Sequence, residues 1–333
     1  MKMHEARTGL RALASATTAA ALLWLPAGTG YAQAWPAKPI TVVIQYPAGG
    51  GSDTLMRIMA PRLGEHLGQT VVVENRPGAS GTIGAAYVAK STPDGYTLLM
   101  GHVITNAIAP HVLAKVQYDA TEDFTNITYI GFTPNVLVIS PEIPVRSMQE
   151  LIALAKRDPG RLTYASSGNG STQHLAGAMF SQRAGVQLTH VPYKGSSQAL
   201  GDVMTGRVTM NFDPMPTVLP HIKSGKLIAL AISTPTRRPQ LPDVPTFVEV
   251  GLLGYDVTNW YAMMGPKGLP KDMVAKIDGA MKQTMAEPAI RERLESFGLI
   301  TAGPATPEEF DAFVKRENAK YSTLVKELNI RAD

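Results

Sequence analysis

The sequence predicts an α/β fold in two successive units of strands and helices. The first observation is a β-branched run at residues 40–44, of the kind buried in a parallel sheet, which leads through a glycine loop into a helical pattern. The second is that the alternation of strand and helix begins afresh near residue 135. Such alternation indicates a parallel sheet with crossover helices.

The first unit begins with the strand at 40–44, followed by the loop YPAGGGSD at residues 46–53 and a helix. Ser52 and Asp53 are residue types that cap helix N-termini, so we expect the helix to start there. Apolar residues then recur at helical spacing. The unit continues with predicted strands at 71–74 and 96–100 and a helix at 82–90.

The second unit repeats the pattern without repeating the sequence. Its predicted strands lie at 136–140, 162–166, 188–193, 208–212 and 227–232, and its predicted helices at 147–158, 171–184, 196–205 and 216–224.

The last part of the chain is predicted to return to the first unit. Four prolines exclude a helix from residues 234–255. A strand at 260–264 follows, then a helix at 271–297 broken near Pro288, and a helix at 307–328 that begins with a capping box. The predicted domains are therefore 35–134 plus 256–333 for domain 1 and 135–255 for domain 2.

Residues 1–34 have the pattern of an export signal, cleaved after about Ala34. Basic residues come first, an apolar stretch at 12–27 follows, and Ala32-Gln33-Ala34 matches an A-x-A cleavage site. The alternative is a membrane anchor, but the apolar run is short and contains hydroxyl residues. We therefore expect a periplasmic protein of roughly 300 mature residues, a length that suggests two domains, with no direct membrane insertion after cleavage.

The composition excludes several classes of partner and chemistry. Without residues 1–34, the 31 basic and 27 acidic residues become 28 and 26, a formal charge of +2. The sequence has no run of Lys or Arg with interleaved aromatics, so we expect no nucleic-acid partner. It also contains no cysteine, so the fold has no disulfide and no thiolate chemistry.

The glycine loop at residues 46–53 predicts an anion site. Glycines let a ligand approach backbone N–H groups, and a helix N-terminus adds free donors and the positive end of its dipole. The spacing matches neither GxxxxGK[ST] nor GxGxxG, so a nucleotide is not expected. The alternative is a tight turn that binds nothing.

A second loop, SSGNGS at residues 166–171, also lies between a predicted strand and a predicted helix. Ligands bind outside the carboxyl ends of strands in open α/β sheets, so two such loops on two lobes can close over one small anion. Four to six hydrogen bonds of roughly 1.5–3 kcal/mol each are enough for micromolar affinity without a cationic side chain. The alternative is two independent turns.

Three side chains near these loops have two interpretations each. His174 either donates to a bound carboxylate or packs locally. Asp53 either caps its own helix or holds a bridging water or ligand amine, and Asp213 has the same two possible roles. If a carboxylate faces an ammonium group, an amino acid is favoured as ligand; if both act as caps, plain di- or tricarboxylates are favoured.

Several motifs together resemble the extracytoplasmic solute-binding proteins of tripartite tricarboxylate transporters, the Bug family. The resemblance extends over roughly residues 35–330. The motifs are YPAGGGSD (46–53), VVVENRPGASGTIGA (71–85), PDGYTLLM (93–100), SSGNGSTQHLAG (166–177), HVPYKGSSQAL (190–200) and LPDVPTFVEVG (241–251). The chain departs from the family at Gln45, where proline is usual, and at Gly51, where proline or another non-glycine residue is frequent.

The resemblance implies a type II periplasmic binding fold: two doubly wound α/β domains, joined by two crossover strands, with a ligand cleft between them. It further implies that the first loop holds a carboxylate through backbone groups and ordered waters. The ligand-binding residues expected from this are Tyr46, Pro47, Ala48, Gly49, Gly50 and Asp53 in the first lobe and Ser167, Gly168, Asn169, Gly170, Ser171, His174 and Asp213 in the second.

The function implied is a receptor that hands a small carboxylate (a di- or tricarboxylate, an amino acid or an aromatic acid) to the permease subunits of a membrane transporter, as a monomer and without cofactor, metal or catalytic residue. One alternative is an exported hydrolase that uses Ser167 or Ser171, although the sequence has no GxSxG or HExxH motif. Another is a receptor that presents its ligand to a sensor kinase.

Overall fold

One nine-stranded sheet runs through the molecule in the computed structural model, which describes residues 35–331. The strands are β1 (Ile40–Ile44), β2 (Val71–Asn75), β3 (Thr97–His102), β4 (Phe124–Ile139), β5 (Thr163–Ser166), β6 (Thr189–Pro192), β7 (Met210–Pro214), β8 (Ile228–Ile232) and β9 (Thr258–Pro266). Their order is β2-β1-β3-β9-β4-β7-β5-β6, with β8 paired to β4.

Helices connect these strands and close the chain. They are α1 (Gly51–Leu67), α2 (Thr82–Ala89), α3 (Ala109–Val112), α4 (Met148–Arg157), α5 (Thr172–Ala184), α6 (Ser196–Met204), α7 (Met215–Lys223), α8 (Lys271–Ala286), α9 (Pro288–Ser296) and α10 (Pro307–Glu327). A short 3-10 turn precedes α2 and a π-helical turn precedes α3.

The predicted alternation of strands and helices is confirmed in both halves. In the first half β1 pairs in parallel with β2 and β3. In the second half β5 pairs in parallel with β6 and β7. The β-branched residues of β1 are fully buried except Thr41, as expected for a strand inside a parallel sheet. No helix lies between β8 and β9, in agreement with the proline-rich sequence there.

The long strand β4 joins the two halves. Residues 124–134 pair antiparallel with β9, residues 135–139 with β7 and residues 136–139 with β8. The sequence predicts a strand only from residue 136, because Gly131 and Pro134 interrupt the apolar pattern before that point. The chain returns at Thr258, which lies opposite Pro134 in the register of β4 and β9. Two strands thus cross between the halves, while the exact domain boundaries stay a prediction.

The predicted start of α1 is wrong. The N-cap is Gly50, whose ψ of 171° is extended, and no side chain caps the helix. Ser52 and Asp53 lie inside the first turn, because the glycine loop allows the helix to begin earlier than a side-chain cap requires. At α10 the predicted cap is confirmed, since Thr306 Oγ1 accepts the N–H of Glu309 at 3.2 Å. The predicted break near Pro288 separates α8 from α9.

The C-terminal helix α10 packs on the crossing strands. Trp260 of β9 and Phe310 and Tyr321 of α10 are fully buried, and the Trp260 indole donates to Glu317 at 3.1 Å. Across residues 35–331, no helix combines the length and the apolar character needed to cross a bilayer. The predicted export signal at residues 1–34 lies outside the described residues.

Candidate functional site

A cavity of about 430 Å³ lies between the two halves of the sheet, and loops from both halves line it. This volume suits a small molecule. Three other surface depressions among the described residues have larger volumes, but neither glycine/serine loop lines them. The lining residues are Tyr46, Pro47, Ala48, Gly49, Gly50, Gly51, Ser52, His102, Ile104, Ser167, Thr172, Gln173, Ser196, Ser197, Asp213, Pro214, Pro216, Thr217, Asn259, Tyr261 and Phe297.

Four helices begin at this cavity. Each has the positive end of its dipole at its N-terminus, together with unpaired N–H groups, although Pro216 in the first turn of α7 has none. No Lys or Arg is among the lining residues, so the positive potential comes from the backbone. The first-turn residues that line the cavity are Gly51 and Ser52 of α1, Thr172 and Gln173 of α5, Ser196 and Ser197 of α6, and Pro216 and Thr217 of α7.

The first loop is braced from behind by Asp53. The carboxylate accepts the Gly49 N–H at 2.9 Å, Arg57 Nε at 2.9 Å and Asn75 Nδ2 at 3.0 Å. Burial alone would raise the pKa of Asp53, but the hydrogen bonds from Arg57, Gly49 and Asn75 outweigh it and lower the pKa. Gly49 has φ of +82°, a left-handed conformation that glycine adopts without strain.

The bracing leaves the first-turn donors of α1 available. Gly51, Ser52 and Asp53 N–H groups have no hydrogen-bond partner among the described residues. The Gly49 N–H is already used by Asp53. The donors for a ligand in this half are therefore the N-terminal amides of α1 rather than the middle of the loop.

An aromatic wall completes the first half of the cavity. Tyr46 and His102 meet edge to face at 5.3 Å, and the ring centroids of His102 and Tyr261 are 5.1 Å apart. Burial lowers the pKa of His102 to about 3, so the ring is neutral. His102 Nδ1 accepts the Ile104 N–H at 3.2 Å, which places its proton on Nε2. His102 thus adds a neutral donor to the cavity.

Most polar groups of the second loop form hydrogen bonds within the loop or with the first turn of α5. The N–H of Gly168 donates to Ser166 Oγ, and the N–H of Gly170 donates to His174 Nδ1 at 3.2 Å. Ser171 caps α5 by accepting the His174 N–H at 3.2 Å. Ser167 Oγ donates to Gln173 Oε1 at 3.0 Å and faces the cavity.

Two histidines support this loop from below. The ring centroids of His174 and His190 are 3.9 Å apart with the planes at 9°, and the Tyr164 ring lies 4.9 Å from His190 and 6.4 Å from His174. His190 Nε2 lies 2.7 Å from Ser166 Oγ. Burial lowers the pKa of His174 and of His190 to about 4, so both rings are neutral at neutral pH.

Asp213 is the one acidic residue among those that line the cavity. It is fully buried at the end of β7 and accepts hydrogen bonds from Ser196 Oγ and, at 2.7 Å, from Asn211 Nδ2. Burial raises the pKa of this carboxyl to about 6, against the hydrogen bonds that favour its ionised form.

The structure brings together part of the predicted set. Tyr46, Pro47, Ala48, Gly49, Gly50, Ser167 and Asp213 line the cavity, whereas Asp53, Gly168, Asn169, Gly170, Ser171 and His174 do not. All of the latter except Asn169, which is exposed, form hydrogen bonds that hold the two loops in shape. The residues that the sequence prediction omits include His102, Gln173, Ser196, Ser197, Thr217, Asn259 and Tyr261. Ser196 and Ser197 follow another strand and short loop, in the sequence HVPYKGSS, and begin another helix. This strand–loop–helix pattern is the sequence feature from which they could have been predicted.

The serines show no hydrolase arrangement. Ser167 pairs with Gln173, and Ser171 is a helix cap. Ser166 contacts His190 but is fully buried and does not line the cavity. The imidazole of His190 stacks on His174 and lies beside Tyr164, and among the described residues no carboxylate orients it.

Comparison with known proteins identifies the family. A family model described as the tripartite tricarboxylate transporter family receptor matches residues 55–330. The chain belongs to the tripartite tricarboxylate transporter receptor family. Proteins of this receptor family are periplasmic binding proteins, and the resemblance found in the sequence is confirmed.

Relatives of this receptor match it over most of their length. A protein encoded in the tcbD-tcbE intergenic region of Pseudomonas sp. strain P51 is 37% identical over 304 residues, covering 90% of this chain and 89% of the relative. BugT of Bordetella pertussis is 36% identical over 299 residues, covering 89% and 91%.

Solved structures confirm the type II periplasmic binding fold with two α/β domains. The R. palustris protein Rpa4515 with adipate has a TM-score of 0.83 and 35% identity, covering 89% of this chain and 99% of that protein. MatC from Rhodopseudomonas palustris with bound malate has a TM-score of 0.79 and 30% identity, covering 87% and 100%. The periplasmic binding protein BugD has a TM-score of 0.80 and 33% identity, covering 90% and 100%.

Proposed function

We propose that this receptor captures a small carboxylate between its two halves and delivers it, unchanged, to the permease subunits of a tripartite tricarboxylate-type transporter. The observation that carries the proposal is the convergence of four helix N-termini on one cavity without a Lys or Arg among its lining residues. Fixed amide donors and helix dipoles stabilise an anion there and need no counter-charge.

The energetics support binding by backbone and water-mediated hydrogen bonds. A hydrogen bond to a charged group contributes about 1.5–3 kcal/mol, and micromolar affinity requires about 8 kcal/mol. The first-turn amides of α1, α5 and α6, together with the Ser197 hydroxyl and His102 Nε2, are enough to supply this. The complexes of relatives with adipate and malate support a small carboxylate as ligand.

The rest of the proposal concerns the protein in its compartment. We propose that the export signal is cleaved after about Ala34 and that the mature receptor works as a periplasmic monomer, without membrane insertion and without nucleic acid. Domain 1 is proposed to comprise residues 35–134 plus 256–333, and domain 2 residues 135–255. Uptake of a labelled ligand by cells with the permease, compared with and without this receptor, tests delivery.

A thermal-shift screen tests binding. The purified protein, unfolded and refolded to remove retained ligand, is heated with mono-, di- and tricarboxylates and with their methyl esters as uncharged controls. A ligand at about a thousandfold its dissociation constant adds about 4 kcal/mol to the free energy of unfolding. The acids are expected to raise the melting temperature and the esters to have no effect; a panel without any shift would contradict the proposal.

A matched pair of variants tests the site. Ser167→Glu places a carboxylate among the helix N-termini, and Ser167→Gln places a neutral group of the same size there. Both lose the hydrogen bond to Gln173. We expect Ser167→Glu to abolish the shift that Ser167→Gln retains, and equal shifts in the two variants would place the anion elsewhere.

A further inference from the structure

One oxygen of Asp213 is left unpaired at the cavity. Oδ2 accepts both hydrogen bonds of this carboxylate, from Ser196 Oγ and Asn211 Nδ2. Oδ1 is buried and has no hydrogen-bond partner among the described residues. Thr217 and Gln173 approach the carboxyl group and favour its ionised form, but neither has hydrogen-bond geometry to Oδ1.

An unpaired buried carboxylate oxygen is unfavourable, because the group has lost water without gaining a donor. Asp213 is itself a lining residue, so a group in the cavity can reach it. The neighbouring Asn211 does not make the missing bond, since its Nδ2 donates to Oδ2 of Asp213 and not to Oδ1, and its own Oδ1 is an acceptor without a partner among the described residues. The cavity therefore presents a buried acceptor, Oδ1 of Asp213, that has no hydrogen-bond partner among the described residues.

The remainder of the cavity has the opposite character. Its walls offer helix N-terminal amides, the Ser197 hydroxyl and the Nε2 proton of His102, all of which are donors toward an anion. A ligand with carboxylates alone would satisfy these donors and would also place negative charge near Asp213. A ligand with a carboxylate and a separate donor matches both parts of the cavity.

We propose that the natural ligand is a carboxylate that also carries an amino or hydroxyl group, and that this group donates to Oδ1 of Asp213. The inference rests on the proposed function and narrows its ligand class. It makes Asp213 the residue that selects substituted acids over plain ones, while the helix N-termini hold the carboxylate common to both.

Calorimetric titration with matched acids tests the selection. The refolded, ligand-free protein is titrated with succinate, malate and aspartate, and with glutarate, 2-hydroxyglutarate and glutamate, so that chain length is constant within each set. In the set that fits the cavity, we expect the hydroxy or amino acid to bind at least about tenfold more tightly than the plain diacid, a tenfold ratio being about 1.4 kcal/mol.

Two variants show whether Asp213 causes the preference. Asp213→Asn keeps the shape of the side chain and removes its charge, so the ratio between substituted and plain acid should fall to within about threefold. Ser197→Ala removes a hydroxyl from the same cavity without touching Asp213; it should weaken both acids alike and leave the ratio as in the wild type. Circular dichroism confirms that each variant is folded.

The pH dependence of binding distinguishes an ammonium donor from a hydroxyl donor, and both from the case in which Asp213 itself is protonated. An ammonium group facing Asp213 predicts that affinity falls when the pH is lowered through about 6, because the carboxyl becomes neutral. A hydroxyl group predicts a preference with a weaker pH dependence. Tight binding of the plain diacid that strengthens as the pH is lowered would overturn the inference, since Asp213 would then supply the proton itself.

The failure of this inference differs from the failure of the proposed function. If the wild type binds plain and substituted acids equally, or if Asp213→Asn keeps the full ratio, the ligand-class inference is overturned and carboxylate capture remains. If no carboxylate binds, the proposed function and the inference fall together.

Discussion

At the scale of single residues, several polar side chains near the cavity hold backbone rather than ligand. Asp53 braces the N–H of Gly49, and His174 accepts the N–H of Gly170. Both lie within four residues of the amide that they hold, so sequence alone leaves their role open. Their position next to the loops predicts ligand contact, but the side chains turn back toward their own loops.

The stacked histidines predict a loss of stability in mild acid. His174 and His190 have a pKa of about 4 in the folded protein against about 6.5 in an unfolded chain. Between these values the unfolded chain binds more protons, so the free energy of unfolding contributed by the pair falls as the pH drops from about 6.5 to about 4. Asp213 has the opposite effect on stability below about pH 6, because burial raises its pKa and the folded protein there binds the extra proton.

Urea denaturation between pH 4 and 7.5 isolates this effect. We expect His190→Asn to lower stability at pH 7.5 but to show a shallower decline toward pH 4 than the wild type. His221→Asn, in the last turn of α7 and outside the stack, serves as the control and should keep the wild-type slope. An unchanged slope in His190→Asn would show that the stack does not control the acid response.

At the scale of elements, the sequence predicts the strands and helices well and the contacts between them poorly. Strand β1 is correct because its β-branched run is continuous, whereas the first part of β4 is missed because Gly131 and Pro134 hide it. The two site loops are predicted because glycines between a strand and a helix have few other uses. The loops before α6 and α7 have fewer glycines and are therefore harder to recognise from the sequence as parts of the site.

Contacts between the halves suggest a close fit at Gly170. This residue of the second loop has φ of +73°, and a Cβ there would lie 2.8 Å from Cγ1 of Val112 in α3, in the other half of the sheet. Val112 is almost fully buried. The absence of a side chain at position 170 therefore allows the two halves to approach each other beside the cavity.

Gly170→Ala is expected to weaken ligand binding about tenfold, because overpacking against a fixed methyl group costs about 1–3 kcal/mol in the closed arrangement. The left-handed backbone adds roughly 1–2 kcal/mol of strain. Gly185→Ala, at the C-terminus of α5 with φ of +60° and no atom near its Cβ, matches the strain without the contact. Calorimetry should show weakened binding in Gly170→Ala alone; equal affinities would mean that this contact does not limit closure.

At the scale of the whole molecule, a buried polar chain links the halves. Thr172 Oγ1 donates to Asn259 Oδ1 at 2.8 Å, and Asn259 Nδ2 donates to Asn135 Oδ1 at 2.9 Å. Thr172 begins α5, Asn259 lies on β9 and Asn135 lies on β4, and all three are buried. These hydrogen bonds could not be predicted from the sequence. Asn135 and Asn259 are 124 positions apart, and only the register of β4 and β9 brings them together.

Asn259→Ala is expected to lower the free energy of unfolding by about 2–3 kcal/mol, since it leaves Thr172 Oγ1 and Asn135 Oδ1 buried without a partner. Urea denaturation should show one transition with a lower midpoint and an unchanged slope, because both halves share the crossing strands. Asn169→Ala, at an exposed position in the second loop, is the control and should keep the wild-type midpoint. Two separate transitions, only one of them shifted, would show that the halves unfold independently.

The use of main-chain amides at helix N-termini affects how the ligand specificity of such a protein can evolve. Every residue type except proline carries the same N–H, so most substitutions at these positions keep the anchor for the charged group intact. A new ligand specificity can then arise by single substitutions, without an intermediate variant that no longer binds the carboxylate. A lysine or arginine anchor would have offered no such freedom, because a single codon change would remove it.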